Sequence, residues 1–202
     1  MKRNEWVITI ILIVIALFAT TISATYYNNL ATGPTVPDII HHYIAFNPWY
    51  SHIAEILLAI TSILFIISAY HQRTDKPIPF ALSVLAAFAI LRALILPLTP
   101  LTNPFPYPGA FSPFSHFNAG GAFPSGHAGF AILFFLLIPW KEKKLKYTAL
   151  FTALLTGFFM IISRGHYTID VVGGILLGYA AYRMMDYFWK RKVKRPKVDL
   201  KF

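Results

Sequence analysis

The sequence predicts an all-α membrane protein, a bundle of six transmembrane helices with both termini in the cytoplasm. Three observations predict this fold class. Of the 202 residues, 56% are hydrophobic and only 13% are charged, about half the charged share of a soluble domain. Long stretches without any charge recur along the chain, and the basic residues cluster between alternate stretches. A soluble domain of this size could not bury so many apolar side chains, so we exclude an ordinary cytosolic globule.

The spans are identified by length, since a spanning helix needs about 20 mostly apolar residues. The first stretch, residues 7–27, carries no charge. It is longer than the apolar region of a signal peptide and no clear cleavage site follows it, so we expect a membrane helix. The remaining predicted spans are residues 52–70, 77–98, 125–140, 145–163 and 166–189. Together they predict one membrane domain, residues 1–189, followed by a basic cytoplasmic tail, residues 190–202.

The basic residues orient the bundle. Fifteen of the 18 Lys and Arg residues lie at the termini or in the second and fourth connections. The positive-inside rule makes that side cytoplasmic. The two long outer connections, residues 28–51 and 99–124, contain no Lys or Arg. The net charge of +10 therefore indicates topology and contact with anionic membrane lipids, and no nucleic-acid partner is predicted.

Three basic residues fall outside this pattern. Arg183 lies near the inner end of the last span and can extend its charge to the membrane surface. Arg92 lies inside the third span and Arg164 at the outer end of the fifth. An ionisable residue at membrane depth costs at least about 2.5 kcal/mol and is a candidate for function. Both of these arginines belong to the outer half of the predicted bundle.

A histidine and an aspartate lie at the same level. His166 and Asp170 are four residues apart, so on a helix they share one face. The carboxylate can then accept the Nδ1 hydrogen of the imidazole and leave Nε2 free as a nucleophile or base. The sequence has no cysteine, which excludes thiolate nucleophiles, cysteine-ligated zinc and disulfides.

Glycines on the helix face of His166 and Asp170 indicate which helix packs against it. Continuing from Asp170 by fours gives Gly174 and Gly178, a spacing that permits close helix packing. We expect the neighbour to be the fourth span, through Gly126 and Gly129. That packing would bring His127 towards the histidine–aspartate pair.

The start of the fourth span is suited to an anion. A helix N-terminus presents unpaired N–H groups and a positive dipole end. Ser125 can cap it, and Gly126 allows a ligand to approach the backbone closely. Arg92 and Arg164 could add charge-assisted hydrogen bonds. These groups are typical of phosphoryl transfer through a covalent phosphohistidine, with no metal or cofactor required.

These residues resemble a known family. The run Pro-Ser-Gly-His at 124–127, Ser-Arg at 163–164 and the His166/Asp170 pair are similar to the type 2 phosphatidic acid phosphatase superfamily of lipid phosphatases and phosphotransferases. The spelling of residues 166–171, together with Pro-Asp at 37–38, resembles its sphingomyelin synthase branch, and Arg92 before Leu-Pro is a weaker similarity. The resemblance implies a six-span enzyme with its active site on the extracytoplasmic side of the cell membrane.

The resemblance also implies roles. His166 would attack phosphorus, Asp170 would orient it, and His127 would protonate the leaving oxygen and then act as base. Substrate-binding roles would fall to Arg164, Ser125, Gly126 and Arg92, with no metal ligand.

Several departures from the family pattern keep the acceptor open. The first phosphatase motif, a Lys followed seven residues later by Arg-Pro, is absent, and a single residue separates Arg164 from His166. Gly121 stands where the synthase branch has an acidic residue, and Arg164 where it usually has His. The principal hypothesis is a metal-independent phosphatase of phosphatidate, phosphatidylglycerol phosphate or polyprenyl diphosphate. The alternatives are a phospho-headgroup transferase acting on a lipid alcohol, and a non-catalytic lipid-binding or scrambling protein.

Three features keep two interpretations each. Asp38 is either an Asx-turn residue after proline or part of the site. Glu55 either pairs with an arginine or has no role in the site. The Pro- and Phe-rich connection at 99–124 is either an interfacial loop or a lid. Oligomeric state is not predicted.

Overall fold

The computed structural model describes residues 3–30, 35–47, 49–72, 78–99, 101–102, 104 and 123–193. All regular structure in these ranges is helical, which confirms the predicted all-α class. The elements are α1 Arg3–Leu30, α2 Ile39–Tyr43, α3 Trp49–Gln72, α4 Ile78–Ile95 with a following 3-10 turn Leu96–Leu98, α5 Gly126–Leu137, α6 Lys143–Ile162 and α7 Thr168–Val193. Most of the Pro- and Phe-rich connection, the basic residues Arg73 and Lys76, and the end of the basic tail lie outside the described residues.

Four helices are long and apolar enough to cross a membrane. They are Asn4–Tyr26, Trp49–His71, Ile78–Leu98 and Lys143–Ile162, and α5 is a shorter apolar helix. They coincide with the first, second, third and fifth predicted spans. Large apolar side chains on these helices face outward. Phe18 is 69% exposed and Ile66 is 60% exposed, as expected for side chains that contact lipid. The protein is an integral membrane protein.

Two predicted boundaries are corrected. The fourth span was expected over 125–140, but α5 ends at Leu137 because Ile138 precedes Pro139 and adopts an extended conformation, as residues before proline do. The sixth span was expected to begin at His166, but α7 begins at Thr168. His166 therefore lies in the turn before α7.

The helices pack in pairs around α5. Helix α1 packs on α4, α3 packs on α6, and α5 contacts both α6 and α7. Buried hydroxyls join two of these pairs: Thr9 Oγ1 lies 2.8 Å from Ser83 Oγ, and Thr61 Oγ1 donates to Thr152 Oγ1 at 2.8 Å. Such hydrogen bonds between apolar helices each contribute about 1 kcal/mol. Hydrogen bonds between buried hydroxyl groups thus stabilise the bundle together with apolar packing.

Glycines allow α5 and α7 to meet at backbone distance. A Cβ added to Gly174 would lie 2.3 Å from the carbonyl oxygen of Ser125, and one added to Gly178 would lie 2.9 Å from that of Gly129. Real Cβ atoms do not approach so closely, so only glycine fits. The predicted packing of the glycine stripe on this helix is confirmed at Gly129, whereas Gly126 faces Arg92 instead.

Lys146 caps the C-terminal end of α5. The sequence pattern counted it among the cytoplasmic charges, but its side chain is buried, with 2% of the residue exposed. Its Nζ donates to the carbonyl oxygen of Phe135 at 2.7 Å and also to those of Leu136 and Ile138. A cation at a helix C-terminus satisfies carbonyls that lack helical partners and complements the helix dipole. Lys146 is therefore a structural cap inside the bundle.

Candidate active site

Two histidines face each other where α5 begins and α7 is about to begin. The ring centroids of His127 and His166 lie 6.0 Å apart in an edge-to-face arrangement. His127 lies in the first turn of α5, and His166 lies in the α6–α7 connection and is 6% exposed. At this distance the two imidazoles are direct neighbours. The predicted approach of His127 to His166 is confirmed.

Asp170 holds the turn that carries His166. Its Oδ2 accepts the backbone N–H of Tyr167 at 2.8 Å and lies 3.5 Å from His166 Nδ1. The latter distance is within ion-pair reach but longer than an ordinary N–H···O bond. Catalytic hydrogen bonds are often long before substrate binds. The carboxylate, which is fully buried, therefore faces Nδ1 and leaves Nε2 on the opposite side of the ring.

Ser125 joins the start of α5 to α7. Its N–H donates to the carbonyl oxygen of Asp170 at 2.9 Å. Its hydroxyl accepts the N–H of Ala128 at 3.3 Å, which makes it the N-cap of α5. The hydroxyl hydrogen remains available to donate. The predicted anion-binding residue is thus the N-cap of α5.

Arg92 reaches this helix end from α4. Its Nε donates to the carbonyl oxygen of Pro124 at 2.9 Å. A Cβ on Gly126 would lie 3.4 Å from Nε and 3.6 Å from Cζ, so the guanidinium lies directly against the glycine. Arg92 also interacts electrostatically with Asp170 and His127. The arginine that the sequence placed at membrane depth is therefore part of the cluster.

Arg164 occupies a different place. Its backbone is left-handed, with φ of 54°, and its guanidinium donates to the carbonyl oxygen of His41 at 2.9 Å. The same group lies over the ring of Phe46, 5.7 Å from its centroid. The other six predicted residues (His127, His166, Asp170, Ser125, Gly126 and Arg92) form one chain of contacts. The described contacts of Arg164 lie instead with the first outer connection.

Asp38 is a residue whose contacts the sequence did not reveal. Its Oδ1 accepts the N–H of Ile40 at 2.9 Å, the Asx-type contact that the sequence predicted. Its Oδ2 also accepts the N–H of Thr168 at 2.6 Å, and Oδ1 accepts the Thr168 hydroxyl at 3.0 Å. The signal present in the sequence was Pro-Asp at 37–38 alone, since a contact across 130 residues leaves no local pattern. Asp38 is thus bound to the first residue of α7.

The pKa of Asp38 reflects these contacts. Burial by itself would raise the pKa of this carboxyl group. The hydrogen bonds from Thr168 and Ile40, with the charge of His41, favour the carboxylate and hold the pKa below the usual 3.8. Asp38 is therefore an anion at neutral pH.

The described ranges contain no group of three or more His, Cys, Asp or Glu side chains that could hold a metal ion. The polar cluster instead offers a nucleophile, a proton donor, a guanidinium and a helix N-terminus. Such a set of groups is typical of a site for a phosphorylated substrate.

Two comparisons with known proteins bear on this site. The family model described as PAP2 superfamily C-terminal matches residues 122–188, a stretch that contains His127, His166 and Asp170. The chain is also 31% identical over 86 residues to undecaprenyl-diphosphatase BcrC of Bacillus subtilis (strain 168). That match covers 41% of this chain and 42% of the relative.

Proposed function

Residues 122–188 belong to the type 2 phosphatidic acid phosphatase superfamily, and on this premise we propose that the protein is a lipid phosphatase with His166 as its nucleophile. The observation that carries the proposal is the pair of imidazoles 6.0 Å apart, one of them beside a buried carboxylate. A single phosphorus atom between the rings can be attacked from one side while its leaving oxygen is protonated from the other.

The first half-reaction transfers the phosphoryl group to the enzyme. Nε2 of His166 attacks phosphorus, and the bond from phosphorus to the leaving oxygen breaks. His127 donates a proton to that oxygen, so the lipid alcohol or lipid monophosphate leaves with a hydroxyl group in place of an oxyanion. Asp170 stabilises the positive charge that His166 acquires, because its carboxylate faces Nδ1–H.

The second half-reaction restores the enzyme. His127, now neutral, takes a proton from a water molecule. The resulting hydroxide forms a bond to phosphorus as the bond to Nε2 breaks, which releases inorganic phosphate. The Arg92 guanidinium and the N-terminal N–H groups of α5 stabilise the negative charge on the phosphoryl oxygens.

Arg92 and Arg164 have different parts in phosphate binding in this proposal. Arg92 lies against Gly126, so it is the principal phosphate-binding guanidinium in this proposal. The resemblance implied that role for Arg164, whose guanidinium donates from one nitrogen to the carbonyl oxygen of His41 and keeps its other N–H groups for a phosphate.

The proposed substrate is a polyprenyl diphosphate, the class named for the B. subtilis relative. Phosphatidate and phosphatidylglycerol phosphate are the other candidates. The proposed chemistry uses side chains and backbone groups alone and is metal-independent.

The proposed topology has six spans, with α5 and α7 as the fourth and sixth, both termini in the cytoplasm and the active site outside. The distribution of Lys and Arg supports it. Because the sequence has no cysteine, a single introduced cysteine can be labelled without background from the protein itself. A membrane-impermeant maleimide on intact cells should label Tyr43→Cys and leave Lys144→Cys unlabelled. The opposite labelling would place the site in the cytoplasm.

One contact favours the alternative, a headgroup transferase. The Asp38–Thr168 hydrogen bonds join the two elements that resemble the sphingomyelin synthase branch. Labelled lipid phosphate, with and without a lipid alcohol, distinguishes the two. Release of free phosphate or phospho-headgroup supports hydrolysis, and a new labelled lipid supports transfer.

The decisive experiment uses His166→Ala and His127→Ala in purified protein. Both should lose turnover while they remain folded. With a diphosphate substrate, whose leaving group is itself a phosphate, His127→Ala should accumulate phosphohistidine because the base of the second half-reaction is missing. Thr9→Val, which removes a buried hydroxyl from the α1–α4 contact, is the control and should keep turnover. A His166→Ala protein that retains turnover supports the non-catalytic lipid-binding or scrambling alternative.

A further inference from the structure

Segment 36–46, part of the first outer connection, lies against the turn that carries His166. We propose that Asp38 is a positioning residue, which fixes His166 for attack by holding the first residue of α7. The proposal rests on the proposed function, since it assigns Asp38 a role in placing that nucleophile.

Asp38 caps α7 from a distant part of the chain. The N–H of Thr168 is one of the donors that a helix N-terminus leaves unpaired, and Asp38 Oδ2 accepts it at 2.6 Å. The Thr168 hydroxyl donates to the other oxygen at 3.0 Å. A carboxylate also complements the positive end of the α7 dipole. An N-cap normally precedes its helix directly, so a cap that is 130 residues away ties two separate segments together.

The adjacent residue is held by the same segment. The Val36 N–H donates to the Tyr167 hydroxyl oxygen at 3.2 Å. The His41 ring packs on the Tyr167 ring, with centroids 5.9 Å apart. Tyr167 is buried. Both residues that follow His166 therefore have partners in segment 36–46.

His166 itself is held on its other side. Its N–H donates to the carbonyl oxygen of Met160, at the end of α6, at 3.2 Å. Between this bond and Thr168, Tyr167 is bound to α7 by its N–H, which donates to Asp170 Oδ2, and by its carbonyl oxygen, which accepts the N–H groups of Asp170 and Val171. The Asp38 contact at Thr168 adds to these bonds, so its loss would loosen the His166 turn on the α7 side.

The chemistry of the contact requires a carboxylate. All three partners of Asp38 (the N–H groups of Ile40 and Thr168 and the Thr168 hydroxyl) donate hydrogens. Asparagine offers one oxygen and an NH₂ group that would face a donor. Asp38→Asn preserves size and loses at least one of these bonds, so it is a sharp test.

The experiment measures kcat, KM and the thermal midpoint of Asp38→Asn, Asp38→Ala and Thr168→Ala, with Thr9→Val as the stability control. Since about 1 Å of misplacement costs on the order of 10²-fold in rate, we expect kcat of Asp38→Asn to fall by tenfold or more while KM stays within about twofold. Thr168→Ala keeps the backbone N–H and should show a smaller loss. An unchanged kcat, or a kcat loss no larger than that of Thr9→Val at equal thermal midpoint, would overturn the proposal.

A readout independent of turnover separates this proposal from the proposed function. In protein labelled with ¹⁵N-histidine, the ring resonances of His166, assigned by their loss in His166→Ala, should shift or broaden in Asp38→Asn and stay unchanged in Thr9→Val. Unchanged His166 resonances in Asp38→Asn overturn the positioning role. Retained turnover in His166→Ala overturns the proposed function instead.

Discussion

Replacement of Gly174 by alanine tests whether the contact between α5 and α7 sets the geometry of the site. The new Cβ would lie 2.3 Å from the carbonyl oxygen of Ser125, and ordinary contact begins at 3.4 Å. The obstacle is backbone, so α5 and its first turn must move by about 1 Å, which moves His127 from His166 and costs on the order of 10²-fold in rate. Alanine is the better helix former by about 1 kcal/mol, but overpacking costs about 1–3 kcal/mol, so the thermal midpoint should also fall slightly.

The assay is kcat on a polyprenyl diphosphate in detergent micelles, with Gly157→Ala as the matched control. Gly157 is also an interior helical glycine, but its added Cβ would meet only the Val171 side chain, at 2.9 Å. Gly157→Ala should keep kcat within a few-fold because this single methyl contact needs a displacement of about 0.5 Å, roughly half of that at Gly174. Equal kcat in the two variants would refute the inference that backbone contact at Gly174 places His127.

Three further predictions follow from single contacts. Lys146→Met leaves the end carbonyls of α5 without their cationic donor and should lower the free energy of unfolding by about 1.5–3 kcal/mol, measured by thermal unfolding; exposed Lys144→Met should change it by less than about 0.5 kcal/mol. Arg92→Lys cannot reproduce the guanidinium fork against Gly126 and Pro124 and should lower kcat about 10²-fold, whereas Arg164→Lys should lose less in the same assay. Because the pKa of Asp38 lies below its usual 3.8 when folded, its contribution to stability is present above that pH and is lost as the pH falls through the folded-state pKa. The difference in thermal midpoint between wild type and Asp38→Asn should therefore shrink from about pH 6 to about pH 3, and a constant difference would contradict the assignment.

The core of the candidate site could be predicted because its signals are local. His166 and Asp170 are four residues apart, and the glycines that follow at the same interval identify the face that packs on α5. Arg92 was identified by its cost at membrane depth. These signals depend on spacing and hydropathy, which a single sequence contains.

Long-range contacts could not be predicted in this way. The cap that Asp38 places on Thr168 depends on how the first outer connection folds back, and no periodicity encodes that. The burial of Lys146 could not be predicted either, because a count of charges gives the side of a lysine and not its partners. Arg164 received its phosphate-binding role from family resemblance, and its backbone conformation and its bond to His41 appear only in three dimensions.

The shortness of α5 bears on the depth of the site. Twelve residues make a helix of about 18 Å, well short of the apolar thickness of about 30 Å, so α5 alone cannot cross a membrane. Its N-terminal end carries His127, while its C-terminal end is covered by the Lys146 ammonium and the Trp140 ring, 5.1 Å from Nζ. In the proposed topology the reacting phosphorus would therefore lie below the membrane surface, and water and released phosphate would enter and leave at the histidine end of α5.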